Sequence, residues 1–175
     1  MGRRLVTVGH GTLDAEAIAA LLRGAGVDLV VDVRRFPGSR RHPHVSRDAL
    51  AAWLPEAGVG YRWEPRLGGR RSQTGDSPDT WWRVAAFRAY AAYMRTEEFA
   101  AGMARLAEDV AARAPAVMCS ETVWWRCHRR LVADHAALVE GWQVEHLGHD
   151  GTLRAHPVAD GARLDDGRIF YDRTG

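Results

Sequence analysis

The chain has two thiols, and both fall in one stretch, "VMCSETVWWRCHRR" at residues 117–130. Cys119 is followed two positions on by Glu121, and Cys127 stands between Arg126 and His128. A thiol becomes a nucleophile when its pKa is lowered, and a nearby Arg, His or helix N-terminus lowers it by favouring the anion. Cys119 is therefore a candidate nucleophile, Arg126, Arg129 and His128 are groups able to activate it, and Glu121 is a candidate acid or base. Cys127 opens a helix in this reading, so backbone amides and the Arg126 guanidinium would hold an anionic group beside it. Other readings of the stretch stay open. Cys119 could be a small core residue closing a strand, with Cys127 packed beneath Leu131. Both thiols with His128, and with Glu121 or His10 as fourth ligand, also have the donor types for zinc, although the spacing fits no standard zinc finger.

The elements that must position these residues alternate in period. Short runs rich in β-branched or aromatic residues at 4–10, 28–34, 60–64, 116–121 and 142–147 read as strands. Apolar residues at helical spacing mark helices over roughly 14–24, 46–57, 81–95, 97–113 and 128–140. Thr96 followed by Glu97 and Glu98 supplies a capping oxygen and first-turn carboxylates, so two helices should separate there. This alternation predicts an α/β fold with a mostly parallel sheet of about five strands flanked by helices. At 175 residues one domain is expected over 1–175, with a core of about 3–147. The Gly- and Asp-rich tail from 148 to 175 reads as a small packed appendage in which "RIFYD" is the clear strand.

In such sheets ligands bind outside the carboxyl ends of the strands. The sequence places "GHGT" (9–12), "DVRRFPGS" (32–39) and "CSET" (119–122) at three of those ends. Cys119, Glu121, His10, Asp32 and His128 are thus the candidate catalytic residues, expected to meet at one rim. Asp32 would orient a substrate or pair with Arg34, and His10 would reach a ligand or close its turn.

All 24 basic side chains are Arg, yet 22 acids leave a formal charge of only +2, so the chain is no polycation. The guanidinium groups cluster at 34–47, 62–71 and 126–130, which suits phosphate because the planar fork binds oxygens bidentately. Arg34, Arg40, Arg41, Arg70, Arg126 and Arg129 are the candidate phosphate grip, with Cys127 beside them; His42 and His44 read as phosphate neighbours or surface groups. Among the seven Trp, the adjacent pair Trp124 and Trp125 cannot both face one core, and aromatic faces among Arg side chains suit nucleobase stacking. No apolar run is long enough to span a membrane and no signal peptide opens the sequence, so a cytoplasmic protein is expected. Neither a dinucleotide fingerprint nor a Walker loop occurs, and no cofactor or resident metal is expected.

Taken together, "TVGHGT", "VDVRRFPGSRRHP", "LGGRR", the "AYAAYM" and "EEF" helix pair, "MCSE" with "WRCHR", and the "HPV…GAR…GRIFYD" tail resemble the domain of unknown function 488 (DUF488) family along the whole chain. The family pattern reads Gly-His-Ser at the first strand end, whereas Gly11 stands here, so any role of that hydroxyl would be absent or displaced to Thr12. The resemblance implies a fold and a site more than an activity. Two function classes follow from the residues. One is a small intracellular enzyme acting on a nucleobase, nucleotide or nucleic acid; the other is a nucleic-acid-binding module with structural cysteines. The expected partner in either is a nucleic acid or a phosphorylated small molecule.

Overall fold

Near-continuous apolar runs, buried along their whole length, build the middle of a six-stranded sheet in the computed structural model, which describes residues 2–38, 40–72 and 75–174. The strands are β1 (Arg4–Gly9), β2 (Leu29–Asp32), β3 (Gly60–Trp63), β4 (Pro115–Cys119), β5 (Gln143–Leu147) and β6 (Leu153–Ala155), in the order β3-β2-β4-β1-β5-β6. The first five run parallel, and β6 pairs antiparallel with β5 at the edge. "LVVD" and "PAVMC" are buried at every position, as strands covered by helices on both faces must be.

The helices are α1 (Ala15–Gly24), α2 (Arg47–Glu56), α3 (Ala85–Tyr93), α4 (Glu97–Ala112) and α5 (Arg129–Leu138). Three begin on side-chain caps: Asp14, Ser46 and Thr96 accept the amides of Ala17, Ala49 and Phe99. The break at Thr96 is thus where the sequence puts it. Helix α3 starts at Ala85, later than the expected 81, because Trp81 and Trp82 belong to a turn held by the C-terminal tail. The Trp81 amide donates to the Tyr171 carbonyl, and the Trp81 ring lies so close over Gly161 that no side chain would fit there.

Strand alternation divides the core in two. Val31, Val33, Val117 and Cys119 pack on one side of the sheet with residues of α3, α4 and α5, including Tyr90, Phe99, Leu106 and Leu131. Val6, Val8, Val30 and Met118 pack on the other with Ile18, Leu22, Leu50 and Leu54 of α1 and α2.

The tail carries more structure than its composition announces. Besides β6 it forms a hairpin of β7 (Arg163–Asp165) and β8 (Arg168–Phe170), closed by Asp166 and Gly167 at φ 49° and 74°. Those two left-handed residues fit the tight turn that Asp-Gly favours. The tail is tied down by buried polar groups: Asp134 accepts from the Tyr171 hydroxyl at 2.8 Å and the Ala159 amide at 3.2 Å, and lies 2.6 Å from His156. His156 contacts His146, which contacts Thr7, so one polar chain joins α5, the tail and the sheet.

Candidate functional site

The ends of β1, β2 and β4 are level. Gly9 stands opposite Cys119 and Asp32 opposite Met118, and beyond the strands the pairing persists as His10 N to Cys119 O, Gly11 N to Ser120 O and Val33 N to Met118 O, each at 3.0 Å. Chain 119–122 folds tightly over the end of β1. A Cβ at Gly9 would collide with the Glu121 carbonyl and come within 2.7 Å of the Arg129 guanidinium, so only glycine admits this approach.

That fold brings the two free thiols together, with Cys119 Sγ 3.0 Å from Cys127 Sγ. Arg129 braces them. Its Nη1 donates to Cys119 Sγ at 3.2 Å and to the Glu121 carbonyl at 3.1 Å, Nη2 donates to the Thr122 carbonyl at 3.2 Å, and its amide donates to Cys127 Sγ at 3.3 Å. Arg129 is only 1% exposed, and the partners of its guanidinium are a sulfur and two carbonyl oxygens. A buried cation favours negative charge in reach, and among these partners Cys119 Sγ is the one able to carry it. A hydrogen bond from Cys127 lowers the Cys119 pKa to about 7, against the penalty of burial and with help from Arg129. The same hydrogen bond, with burial, pushes the Cys127 thiol up. Both shifts favour the proton on Cys127 and negative charge on Cys119.

The thiols lie in a cleft of about 320 Å³ walled by Arg35, Phe36, Arg70, Phe87, Tyr90, Ser120, Glu121, Arg126 and His128. Phe36 is 61% exposed, and the Arg35 and Arg70 guanidinium groups lie 5.3 and 5.8 Å from its ring centre. Arg35 also donates to the Arg70 carbonyl at 2.9 Å, tying the two loops together. A second arm, lined by His10, Thr12, His42 and Thr122, meets the first across Arg34, Phe36, Arg70, Ser120 and Glu121.

Several expectations meet a different geometry. Glu121 borders both arms, but it is exposed, and its carbonyl rather than its carboxylate accepts from Cys119 Sγ at 3.6 Å and from Arg129. His10 and Asp32 do not join the thiols, because strand parity puts Asp32, in step with Val30, and His10, in step with Val8, on the opposite side of the sheet from Cys119. There Asp32 is fully buried and takes Arg34 Nε and Nη2 at 2.8 Å each and the Tyr61 hydroxyl at 2.6 Å. His10 Nδ1 faces the Gly11 carbonyl at 2.9 Å, which can only accept, so Nδ1 carries the proton and Nε2 accepts from Arg34 at 3.3 Å. Burial holds His10 neutral, with its pKa near 4. Asp32, His10 and Arg34 thus bond to one another, and His10 and Arg34 also line the second arm.

Arg129, expected among the phosphate-gripping residues, is instead sealed behind the thiols. Arg40 and Arg41 are exposed and wall neither arm, whereas Arg70 and Arg126 do wall the cleft. Trp124 stacks on His146 with ring centres 4.2 Å apart and planes 2° from parallel, which covers one face of its ring. Trp125 is 51% exposed and meets Trp124 edge-on. His128 walls the cleft, but its Nε2 donates to the Val33 carbonyl at 2.9 Å and burial lowers its pKa to about 4. Among the described residues no group of three or more His, Cys, Asp or Glu is placed to hold a metal ion. His44 is spent on the Leu13 carbonyl at 2.7 Å. Gly11 has φ 53°, and a Cβ built there would meet the Thr122 hydroxyl. The aromatic and basic residues that sequence reasoning passed over are Arg35, Phe36, Phe87 and Tyr90. A Phe inside the Arg-rich run "RRFPG" was the available signal for the first two.

Fold and site together define an α/β protein whose paired thiols sit at the carboxyl edge of a parallel sheet beneath an Arg-lined cleft. The chain belongs to the DUF488 family: the family model described as domain of unknown function DUF488 matches residues 14–136. No curated protein and no solved structure matches the chain. Among the described residues no helix is long and apolar enough to cross a membrane.

Proposed function

We propose that the protein is a small intracellular enzyme that uses the Cys119 thiolate on a nucleobase, nucleotide or nucleic-acid substrate. The observation that carries this reading is the buried Arg129 guanidinium, which has a thiol and no carboxylate among its partners. A structural cysteine would not need such a partner; a nucleophilic one does. Two free thiols in contact also fit a reducing compartment. Arg35, Arg70 and Arg126 supply charge for phosphate at the mouth of the cleft, and the exposed Phe36 ring offers a face on which a base can stack. Glu121, at the junction of both arms, is placed to move a proton to or from a bound substrate.

The test has a binding arm and a chemical arm. Nucleoside monophosphates and short single-stranded oligonucleotides are titrated into the protein, and Phe36→Ala should weaken binding by about 1–3 kcal/mol, the worth of one stacked base. The same compounds are then incubated with enzyme and followed by mass spectrometry, where Cys119→Ser should abolish conversion while leaving binding intact. Salt-sensitive binding without Cys119-dependent conversion would favour a non-catalytic nucleic-acid-binding module. Affinity indifferent to Phe36→Ala and to Arg70→Gln would remove the substrate class.

A further inference from the structure

Cys127 has no task in a mechanism that uses Cys119 alone, yet it is held against it. Cys127 Sγ lies 3.0 Å from Cys119 Sγ and accepts the Arg129 amide, so it is placed to attack whatever becomes bonded to Cys119. Both residues wall the cleft, so an adduct on Cys119 would have room to form while Cys127 remains alongside. We propose that Cys119 and Cys127 are an attacking and resolving pair that carries out thiol–disulfide exchange with anionic low-molecular-weight disulfides.

The inference rests on the reading of Cys119 as a thiolate. In the first step Cys119 S⁻ attacks one sulfur of a disulfide RSSR; the Cys119–SR bond forms, the RS–SR bond breaks, and RS⁻ leaves. The Cys127 thiol then gives its proton to the departing thiolate and its sulfur attacks Cys119, forming the Cys119–Cys127 bond and expelling the second R group as thiolate. The protein dithiol loses two electrons and the small disulfide gains them, giving two RSH after proton uptake. An external thiol running the same steps backwards restores the dithiol. The leaving thiolate and any carboxylates on R face Arg35, Arg70 and Arg126, against Glu121 as the one carboxylate among the described wall residues. That charge balance favours an anionic disulfide over a neutral or cationic one.

The probe is oxidised glutathione, added to the folded full-length protein and to Cys127→Ser and Cys119→Ser, with trapping by acid and intact-mass measurement. Wild type should lose the mass of two hydrogen atoms and show little lasting adduct, with the new bond mapped to Cys119 and Cys127. Cys127→Ser should accumulate the glutathione adduct on Cys119, and a cationic disulfide such as cystamine should react more slowly with wild type. Circular dichroism of each variant confirms that the fold is kept. A persistent Cys119 adduct in wild type, as in Cys127→Ser, would overturn the resolving role while leaving Cys119 as nucleophile. No modification of wild type at all would overturn both readings, and faster reaction with cystamine would overturn the anionic substrate class.

Discussion

At the scale of single residues, Arg129 decides what Cys119 can be. Replacing it with Met keeps much of the volume but removes the cation and the donors to the Glu121 and Thr122 carbonyls. Arg129→Met should therefore raise the Cys119 pKa and slow its alkylation at neutral pH. Leaving those carbonyls without partners should also cost about 1–3 kcal/mol of stability, read from urea denaturation. Normal thiol reactivity in a folded Arg129→Met protein would show that the guanidinium does not activate Cys119. The thiol cluster itself was legible in the sequence, since residue type and spacing sufficed to single it out. The identity of its cationic partner was not: "WRCHRR" offers several cations, and choosing Arg129 requires the helix stripe of Val132, Ala133 and Ala136 to be extended back one turn to position 129.

At the scale of elements, the site depends on the end of β1 having no side chain. Gly9→Ala would drive a methyl group into the Glu121 carbonyl, a backbone atom that cannot swing aside. We expect a loss of about 1–3 kcal/mol or more from this overpacking. The segment 119–122 should also lift away, separating the thiols, so disulfide formation in Gly9→Ala should slow relative to wild type; unchanged stability and thiol reactivity would contradict the packing described. Caps and long apolar runs made the helices and the five parallel strands readable. The three-residue strands of the tail are too short to show a period, and strand ends that share an edge do not by themselves show which side of the sheet each side chain takes. His10 and Asp32 reach the same edge as Cys119 but belong to the other side of the sheet.

At the scale of the whole molecule, buried histidines tie stability to pH. Burial lowers the pKa of His10, His128 and His135 to about 4, and burial with the neighbouring His156 takes His146 lower still. In the unfolded chain these groups titrate near ~6.5, so below that pH the unfolded state binds more protons. Stability should be intact above pH 6.5 and decline as pH falls toward 4, where the folded-state groups begin to charge. Urea midpoints at pH 7.5, 6 and 5 would measure this, and a flat profile would mean that the histidines are not held neutral by the fold. The layered α/β architecture was legible at this scale because alternating strands and helices constrain it strongly. The polar chain through Thr7, His146, His156 and Asp134 was not, since its members are far apart in sequence and each alone resembles an ordinary core or surface residue.

The most direct test of an activated Cys119 is the pH dependence of alkylation of native protein, resolved for Cys119 and Cys127 by mass spectrometry. The structure predicts that Cys119 reacts first, with an apparent pKa near 7, and that Cys127 lags across the neutral range. A Cys119 pKa at or above the ~8.5 of a free thiol, or preferential modification of Cys127, would contradict the account.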